Sequence, residues 1–347
     1  MRKFIGFHCP DCGKEHSPAA ASYTCPACGG NLQVAYDYKF IKSRVSRARL
    51  AADQDQSLWR WLDLLPVSHR RWAAGPPPGG TPLLAAPRAA AALGLSALWI
   101  KDEGRNPSAS LKDRASAVTV AVARERGEKI LACASTGNAA ASLACALAAE
   151  PVKPVIFVPE SAPAAKLAQL MVYGAKVVAV RGTYDQAFDL CVKACEEFGW
   201  YNRNTGYNPF TREGKKTCAF EIAQQLGWKI PDLIFVSVGD GNIISGLWKG
   251  FLDLVRVGLT SRTPRLIAVQ AQGSDSIARA LESGRPPEPV SGRTVADSIS
   301  VSLPRDGRAA VRAIRESGGF AVRVSDREIL DAIGALARAS GVFAEPA

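Results

Sequence analysis

The regular alternation of two kinds of segment constrains the fold of this chain most strongly. From about residue 97 onward, short β-rich runs alternate with longer helical runs, several of which end in glycine, a common helix stop signal. This alternation predicts an α/β fold, in which helices cover parallel sheet and ligands bind at the carboxyl ends of the strands. The predicted strands are ALWIKD, KILACA, KPVIFVP, AKVVAV, DLIFVSV and RLIAVQ.

A cysteine-rich module precedes this body. Four of the nine cysteines form two CxxC pairs, each followed by glycine: Cys9, Cys12, Cys25 and Cys28. Two residues between thiols allow a pair to bind one tetrahedral metal ion, and the glycine allows the following backbone to turn toward the sulfurs. The spacing predicts a four-cysteine zinc ribbon in residues 1–40. Four thiolate ligands make the zinc structural. An iron–sulfur or redox role is the alternative, and His8 and His16 are expected outside the coordination shell.

Composition argues against two classes of partner. The net charge is +11, but the arginines are spread thinly, without the dense basic patch typical of nucleic-acid binding. No apolar run approaches the roughly 18–20 residues that a membrane helix needs, and the apolar run at the start is too short for a signal peptide. We therefore expect a cytoplasmic protein with neither nucleic acid nor membrane as partner.

Three loops that follow predicted strands carry unusual residues. The first leads through EGRNPSAS to Lys112, the second is STGN (135–138), and the third is GDGNIISG (239–246). Small residues in the last two loops allow backbone N–H groups to approach a ligand, and the helix behind each favours anions. A helix start disfavours the ammonium form of Lys112, and a lysine that loses its proton easily can form a Schiff base. The combination is what pyridoxal phosphate requires.

Two other phosphate-binding motifs do not fit the third loop. GDGNIISG departs from the GxGxxG pattern of dinucleotide sites, and it lacks the GK[ST] of a P-loop. The loop therefore predicts a site for a single phosphate group.

Several segments, in order and spacing, resemble the fold-type-II pyridoxal-phosphate enzymes, specifically the threonine synthase family. They are LWIKDEGRNPSASLKDR, STGNAAAS, NPFTREGKKT, VGDGNIISGLWKGF and GVFAEPA. The match extends from about Trp59 to the last residue, and many family members carry an amino-terminal CxxC…CxxC ribbon. The resemblance implies a tryptophan synthase β-like fold, a small-molecule amino-acid substrate and a homodimer. It divides the body into a large domain, 41–118 with 206–347, and a small domain, 119–205.

The resemblance also assigns roles to residues. Lys112 would hold the cofactor as a Schiff base and later move protons, and Asn138 would bind the 3'-oxygen of the cofactor. The phosphate would be bound by backbone N–H groups of Gly239, Asp240, Gly241, Asn242 and Ile243. The substrate carboxylate would be bound by Ser135, Thr136 and Gly137. The side chain of Asp240 is expected to point away from the phosphate, toward a basic neighbour.

The family reaction converts O-phosphohomoserine and water to threonine and phosphate, so the resemblance implies a carbon–oxygen lyase that acts on a phosphate ester. One departure concerns the substrate phosphate: Thr211 occupies the place of an arginine in the family pattern NPxRxEGxKT, and Arg212 follows it. A shift of one residue turns a helical side chain by about 100°. Arg212, Lys215 and Lys216 either compensate for the missing arginine, or the lysines are solvated surface cations.

Two further points stay open at this level. The family continues after the EPA segment and supplies there a serine or threonine to the pyridine nitrogen, beyond Ala347 of this sequence. The alternative functions are a cysteate synthase acting on O-phosphoserine, a serine or threonine ammonia-lyase, and a non-catalytic regulator whose ribbon binds a macromolecule. The intact Lys112 argues against the last.

Overall fold

The computed structural model describes residues 3–20 and 23–347. The predicted ribbon range, 1–40, therefore includes residues outside the described part of the chain. The strands are β1 (Phe4–His8), β2 (Glu15–His16), β3 (Gln33–Tyr36), β4 (Leu83–Ala85), β5 (Trp99–Lys101), β6 (Ile130–Ala134), β7 (Lys153–Pro159), β8 (Lys176–Val180), β9 (Tyr201–Asn202), β10 (Leu233–Ser237), β11 (Arg265–Ala271) and β12 (Phe320–Val324).

Helices follow most of these strands, as the alternation of the sequence predicts. They are α1 (Tyr38–Lys42), α2 (Arg47–Ala52), α3 (Pro87–Ala92), α4 (Lys112–Glu125), α5 (Asn138–Leu147), α6 (Ala164–Val172), α7 (Tyr184–Phe198), α8 (Phe210–Lys215), α9 (Thr217–Gln225), α10 (Asn242–Arg256), α11 (Ser276–Ser283), α12 (Gly307–Glu316) and α13 (Asp326–Ser340). Each strand that the sequence predicts is present, but β5 pairs antiparallel with β4, apart from the parallel sheets of the described residues.

The chain forms two compact units. The first comprises Met1–Gly80, Asn106–Thr217 and Arg256–Leu259, and the second comprises Thr81–Arg105, Cys218–Val255 and Thr260–Ala347. These bounds differ from the domain ranges expected from the resemblance. The ribbon and the expected small domain both lie in the first unit.

Close contact between two helices explains why residues before 119 and after 205 belong to the same unit. A Cβ on Gly214 in α8 would lie 1.9 Å from the carbonyl oxygen of Arg114 in α4. The backbones of α4 and α8 therefore touch, which only glycine permits.

The first unit contains two sheets. The ribbon strands form an antiparallel sheet of order β2-β1-β3, and the main sheet is parallel with order β8-β7-β6-β9. Helix α7 covers one face of the main sheet, where Phe188 and Cys191 pack with Phe157 of β7. The helix begins with a reciprocal capping box between Thr183 and Gln186, and it ends at a glycine in the left-handed conformation.

The second unit is built around a parallel sheet of order β10-β11-β12. Helix α13 begins with a capping box between Ser325 and Glu328 and ends at the left-handed Gly341. Among the described residues, no helix combines the length and apolar character needed to cross a bilayer. The homodimer and the cytoplasmic location stay predictions.

The segment SLWRWLDLLPVSHRRW differs from the sequence-based expectation of one short amphipathic helix. It forms two 3₁₀ helices, Leu58–Leu64 and Arg70–Trp72. The first ends because Pro66 disfavours helical backbone at the residue before it, and Leu65 is extended with φ −114° and ψ 152°. The apolar residues are nevertheless buried, as an amphipathic segment requires.

Candidate active site

Lys112 is the first residue of α4, and a closed turn fixes its position. The backbone N–H and the hydroxyl of Ser108 both donate to the carboxylate of Asp113, at 2.8 and 2.6 Å. The N–H of Lys112 donates to the hydroxyl of Ser110 at 3.2 Å. These bonds join the Ser-rich segment to the first turn of α4 and place Lys112 at the N-terminal end of a 14-residue helix.

Asp113 carries this turn from a buried position. Its side chain is held inside the first unit, and burial raises the pKa of its carboxyl group, an effect that the hydrogen bonds from Ser108 oppose. Lys112 itself is half-buried, so its side chain can reach both the interior and solvent.

The STGN loop joins β6 to α5 and contains four half-buried residues: Ser135, Thr136, Gly137 and Asn138. The N–H of Ser135 donates to the carbonyl of Phe157 in β7 at 3.2 Å, and its hydroxyl accepts the N–H of Gly137 at 3.2 Å. Gly137 is the N-cap of α5, and Asn138 is its first residue. The loop thus presents the N-terminal end of α5 at the carboxyl end of the parallel sheet.

A hydrogen bond links the two helices that begin with Lys112 and Asn138. The hydroxyls of Ser116 in α4 and Ser142 in α5 are 2.7 Å apart, and both are fully buried. Each serine follows its helix's first residue by four positions, about one turn. The structure therefore brings together the helix starts that carry Lys112 and the STGN loop.

Arg203 is a cation that the sequence analysis missed. It follows β9 directly, is fully buried, and donates to the hydroxyl of Ser116 from Nε and Nη2 at 3.3 and 3.1 Å. Its Nη1 donates to the hydroxyl of Thr205 at 3.0 Å. Burial lowers the pKa of the guanidinium, which the electrostatic influence of Cys133 and Asp113 partly offsets. Its position after a strand that pairs with β6 is the signal that could have found it.

Helix α8 contains the cations that the sequence places near the substrate phosphate. Arg212 and Lys215 are 2% and 1% exposed. Lys216, directly after the helix, is fully buried and forms an ion pair of 2.6 Å with Glu213, which also accepts the hydroxyl of Tyr36. The alternative that the lysines are solvated surface cations is therefore wrong. The sequence could not reveal this, because the segment reads as polar while packing makes it core.

Thr211 occupies the family's arginine position and serves the local backbone. Its hydroxyl donates to the carbonyl of Asn208 at 2.8 Å, and the residue is fully buried. The side chain of Asn208 in turn accepts the N–H of Phe210 at 2.9 Å. These bonds close the turn that begins α8.

The GDGN loop in the second unit joins β10 to α10 and is tightly packed. Gly241 has φ +85°, and a Cβ there would lie 2.7 Å from the Cβ of Ala310. A Cβ on Gly239 would lie 2.8 Å from the Cα of Ile299. Glycine is therefore required at both positions, and the loop backbone leads into the N-terminal end of the 15-residue α10.

Two carboxylates hold this loop from the side of the protein. Asp240 accepts the backbone N–H of Arg305 at 3.1 Å, so its partner is a backbone group and not the basic side chain that the sequence analysis expected. Asp306, which is buried, accepts from the side chains of Asn242 and Ser245 at 2.8 and 2.7 Å. Ile243 is half-buried in the first turn of α10.

The four cysteines of the ribbon converge on one point. Their sulfurs all lie within 4.8 Å of one another, with Cys9 to Cys28 at 3.5 Å and Cys12 to Cys25 at 3.7 Å. Sulfurs around a tetrahedral zinc ion with bonds of about 2.3 Å are about 3.8 Å apart, so the cluster fits such an ion. His16 lies beside the cluster, with Nε2 3.3 Å from the sulfur of Cys25.

Comparison with known proteins is consistent with this arrangement. The family described as "Pyridoxal-phosphate dependent enzyme" matches residues 75–347. The threonine synthase of Methanocaldococcus jannaschii is 40% identical over 98% of this chain and 84% of its own length. The threonine synthase of Methanosarcina acetivorans is 40% identical over 98% of this chain and 83% of its own length. The chain belongs to the family of pyridoxal-phosphate-dependent enzymes.

Solved structures of this family show the same fold. Maize serine racemase aligns with a TM-score of 0.66 at 24% identity, covering 77% of this chain and 78% of its own. A bacterial threonine deaminase, from T.th., aligns with a TM-score of 0.65 at 26% identity, covering 87% and 89%. The predicted fold class and the predicted family are thus confirmed.

The residues present fit the cofactor of the family in each unit. The first unit offers Lys112 at the start of α4, together with the STGN loop. The second unit offers a glycine backbone, too crowded for any side chain at Gly239 and Gly241, at the start of a long helix. A backbone of this kind binds a phosphate group through N–H groups and the helix dipole.

Proposed function

We propose that this protein is a pyridoxal-phosphate-dependent lyase that converts O-phosphohomoserine and water to threonine and phosphate. The observation that carries the proposal is the pair of buried cations, Arg212 and Lys215, in the same unit as Lys112. A buried cation is costly unless an anion compensates it, and a phosphorylated substrate would supply that anion. The 40% identity to proteins named threonine synthase supports the same assignment.

Lys112 is assigned the covalent link to the cofactor and the proton transfers. When bound, pyridoxal phosphate serves as an electron sink for a carbanion at the substrate Cα. The amine of Lys112 accepts the proton from Cα and later returns protons, acting first as base and then as acid. The helix start favours the neutral amine that the first of these roles needs.

Other residues bind and orient. In the first unit, Asn138 would donate to the 3'-oxygen of the cofactor, and the N-terminal end of α5 would bind the substrate carboxylate through Ser135, Thr136 and Gly137. In the second unit, the cofactor phosphate would be bound by the backbone N–H groups of Gly239, Asp240, Gly241, Asn242 and Ile243. Arg212 and Lys215 would stabilise the charge that collects on the departing γ-phosphate.

The cysteine cluster is assigned one structural zinc ion. Cys9, Cys12, Cys25 and Cys28 provide four thiolates, and a tetrahedral ion with four protein ligands has no position for a substrate. The bound ion supplies the folding free energy that so small a module lacks in its own core.

A second candidate is an ammonia-lyase acting on serine or threonine, because the threonine deaminase from T.th. has a similar fold at 26% identity. A third, cysteate synthase activity on O-phosphoserine, would use the same buried cations. Phosphate and ammonia release distinguish the three. We expect phosphate and threonine from O-phosphohomoserine, and ammonia release from serine or threonine without phosphate release would contradict the proposal.

The cations provide the sharper test. Arg212→Ala or Lys215→Ala should raise KM for O-phosphohomoserine about 10- to 100-fold, since each removes a hydrogen bond between charged groups. The absorption band of the bound cofactor should stay unchanged. Lys193→Ala, an exposed lysine of α7, is the matched control and should behave as wild type. Unchanged KM in both α8 variants would remove the basis for a phosphorylated substrate.

A further inference from the structure

The ribbon makes a polar contact with α8 in the first unit. The hydroxyl of Tyr36, the last residue of β3, donates to Oε2 of Glu213 at 2.6 Å. Nζ of Lys216 lies 2.6 Å from the same oxygen and 4.2 Å from the centroid of the Tyr36 ring. All three side chains are buried. Glu213 lies between Arg212 and Lys215 in the sequence, so this contact fixes the helix that carries both proposed phosphate-binding cations.

An aromatic contact adds to the polar one. Phe4 and Phe7 of β1 meet the ring of Phe210 edge to face, with centroids 6.0 and 5.7 Å apart. Phe210 is the first residue of α8 and is fully buried. The ribbon therefore holds the start of α8 through packing and its middle through Glu213.

A third contact reaches the segment that leads into α8. The hydroxyl of Tyr23 accepts the backbone N–H of Asn202 in β9 at 3.0 Å. Its ring stacks on that of Tyr207, with centroids 5.0 Å apart and planes inclined by 29°. Contacts from the ribbon thus flank residues 202–216 at both ends.

The contacting residues are adjacent to the cysteines in the sequence. Phe7 precedes Cys9 by two positions, and Tyr23 precedes Cys25 by two. A ribbon of about 40 residues has little core, so a metal ion on the four thiolates decides whether these aromatic residues keep their positions.

We propose that the metal-bound ribbon is a positioning module for residues 202–216, and that Tyr36 is its principal positioning residue. Through Glu213 it sets the orientation of Arg212 and Lys215, and thereby the affinity for an anionic substrate. The consequence for substrate rests on the proposed function, whereas the ordering of α8 is independent of it.

Hydrogen exchange on the holoenzyme tests the ordering directly. Tyr36→Phe keeps the ring, the thiols and the fold, but it removes the hydroxyl. The amides of residues 210–217 should exchange about tenfold faster, the order expected for losing a hydrogen bond to a charged group. Amides of α5 and the absorption of the bound cofactor should not change. Tyr38→Phe, whose hydroxyl accepts from Arg256 at an exposed site, is the control and should match wild type. Unchanged exchange at 210–217 in Tyr36→Phe would overturn the proposal.

Steady-state kinetics on the same variants separates the two inferences. Tyr36→Phe should raise KM for O-phosphohomoserine about tenfold while kcat changes little, because the chemistry at Lys112 is untouched. Faster exchange at 210–217 in a protein that does not turn over O-phosphohomoserine would support the positioning role and contradict the proposed substrate. A fall in kcat with KM unchanged would contradict the positioning role.

Metal removal tests the link to the cysteine cluster. Cys12→Ser replaces an exposed thiol, and elemental analysis should show loss of the zinc bound per chain. Exchange at 202–216 should then accelerate to at least the level of Tyr36→Phe. Metal loss without any change at 202–216 would overturn the role of the metal. Should Cys12→Ser not fold, Tyr36→Phe still decides the contact, because its cysteines are intact.

Discussion

Two glycine-bearing loops, one in each unit, begin helices after parallel strands but are built differently. The STGN loop, 135–138, is half-buried throughout, and among the described residues no atom lies within 4 Å of a Cβ placed on Gly137. In the GDGN loop, 239–242, the glycines touch neighbouring backbone and side chains. One loop has space beside it, and the other has none.

The side chains follow the same contrast. In the GDGN loop, Asn242 is tied to the buried Asp306, and Asp240 is tied to a backbone N–H group. In the STGN loop, Ser135 is bonded to Gly137 within the loop itself. A fixed loop suits a ligand that stays in place, such as the cofactor phosphate, whereas an open loop suits a substrate that binds and leaves.

Lys112→Ala should have the largest effect of the changes that probe this contrast. Activity should fall by roughly 10²- to 10⁴-fold, because the base and acid of each proton transfer is lost. Borohydride should no longer attach the cofactor covalently, yet pyridoxal phosphate should still bind, since the GDGN loop is fixed without Lys112. Mass spectrometry of the reduced protein checks the attachment site. Trapping on another lysine in the wild type would contradict the assignment.

Asp306→Ala should have the next largest effect. Two side-chain donors, on Asn242 and Ser245, lose their acceptor inside the second unit, and the free energy of unfolding should fall by about 2–4 kcal/mol. Affinity for pyridoxal phosphate should fall with it. Ser135→Ala in the open loop is the comparison and should change the free energy of unfolding by less than about 1 kcal/mol. Denaturant unfolding and cofactor titration measure both, and equal losses would remove the contrast.

These dependencies show how far the sequence can be read. Local patterns sufficed for the strands, the cysteine pairs and the loops, because periodicity and spacing are properties of short segments. Asp306 lies 64 residues from Asn242, and Tyr36 lies 177 residues from Glu213, so no local pattern links either pair. The burial of Lys215 and Lys216 was missed for the same reason: it depends on which surfaces pack against α8.

A pair of alanine substitutions compares the backbones of the two loops. Gly241→Ala places a side chain at φ +85° and 2.7 Å from Ala310, and it should lower the free energy of unfolding by about 1–3 kcal/mol. Gly137→Ala has an ordinary φ of −117° and open space, so the free energy of unfolding should change by less than about 1 kcal/mol. The new methyl group should instead raise KM for the amino-acid substrate. A stable Gly241→Ala protein would contradict the fixed conformation of the GDGN loop.

The smallest effect is expected at Asp113, which closes the turn before Lys112 as Asp306 closes the GDGN loop. Asp113→Asn keeps an oxygen that can accept the N–H of Ser108, so the free energy of unfolding near neutral pH should change by about 1 kcal/mol or less. Unlike Asp306, Asp113 accepts one backbone donor and one hydroxyl from a single residue.

The pH dependence distinguishes the carboxylate from its amide. Burial raises the pKa of Asp113, so the folded state keeps the proton at pH values where the unfolded state has released it. The stability contributed by protonated Asp113 is therefore fully present below the ordinary carboxyl value of 3.8, and it is lost as pH rises through the folded pKa. The free energy of unfolding of wild type relative to Asp113→Asn should fall as pH increases from about 4, and then level off. Urea unfolding of both proteins across this range measures the difference, and an opposite slope would show that hydrogen bonds from Ser108 outweigh burial.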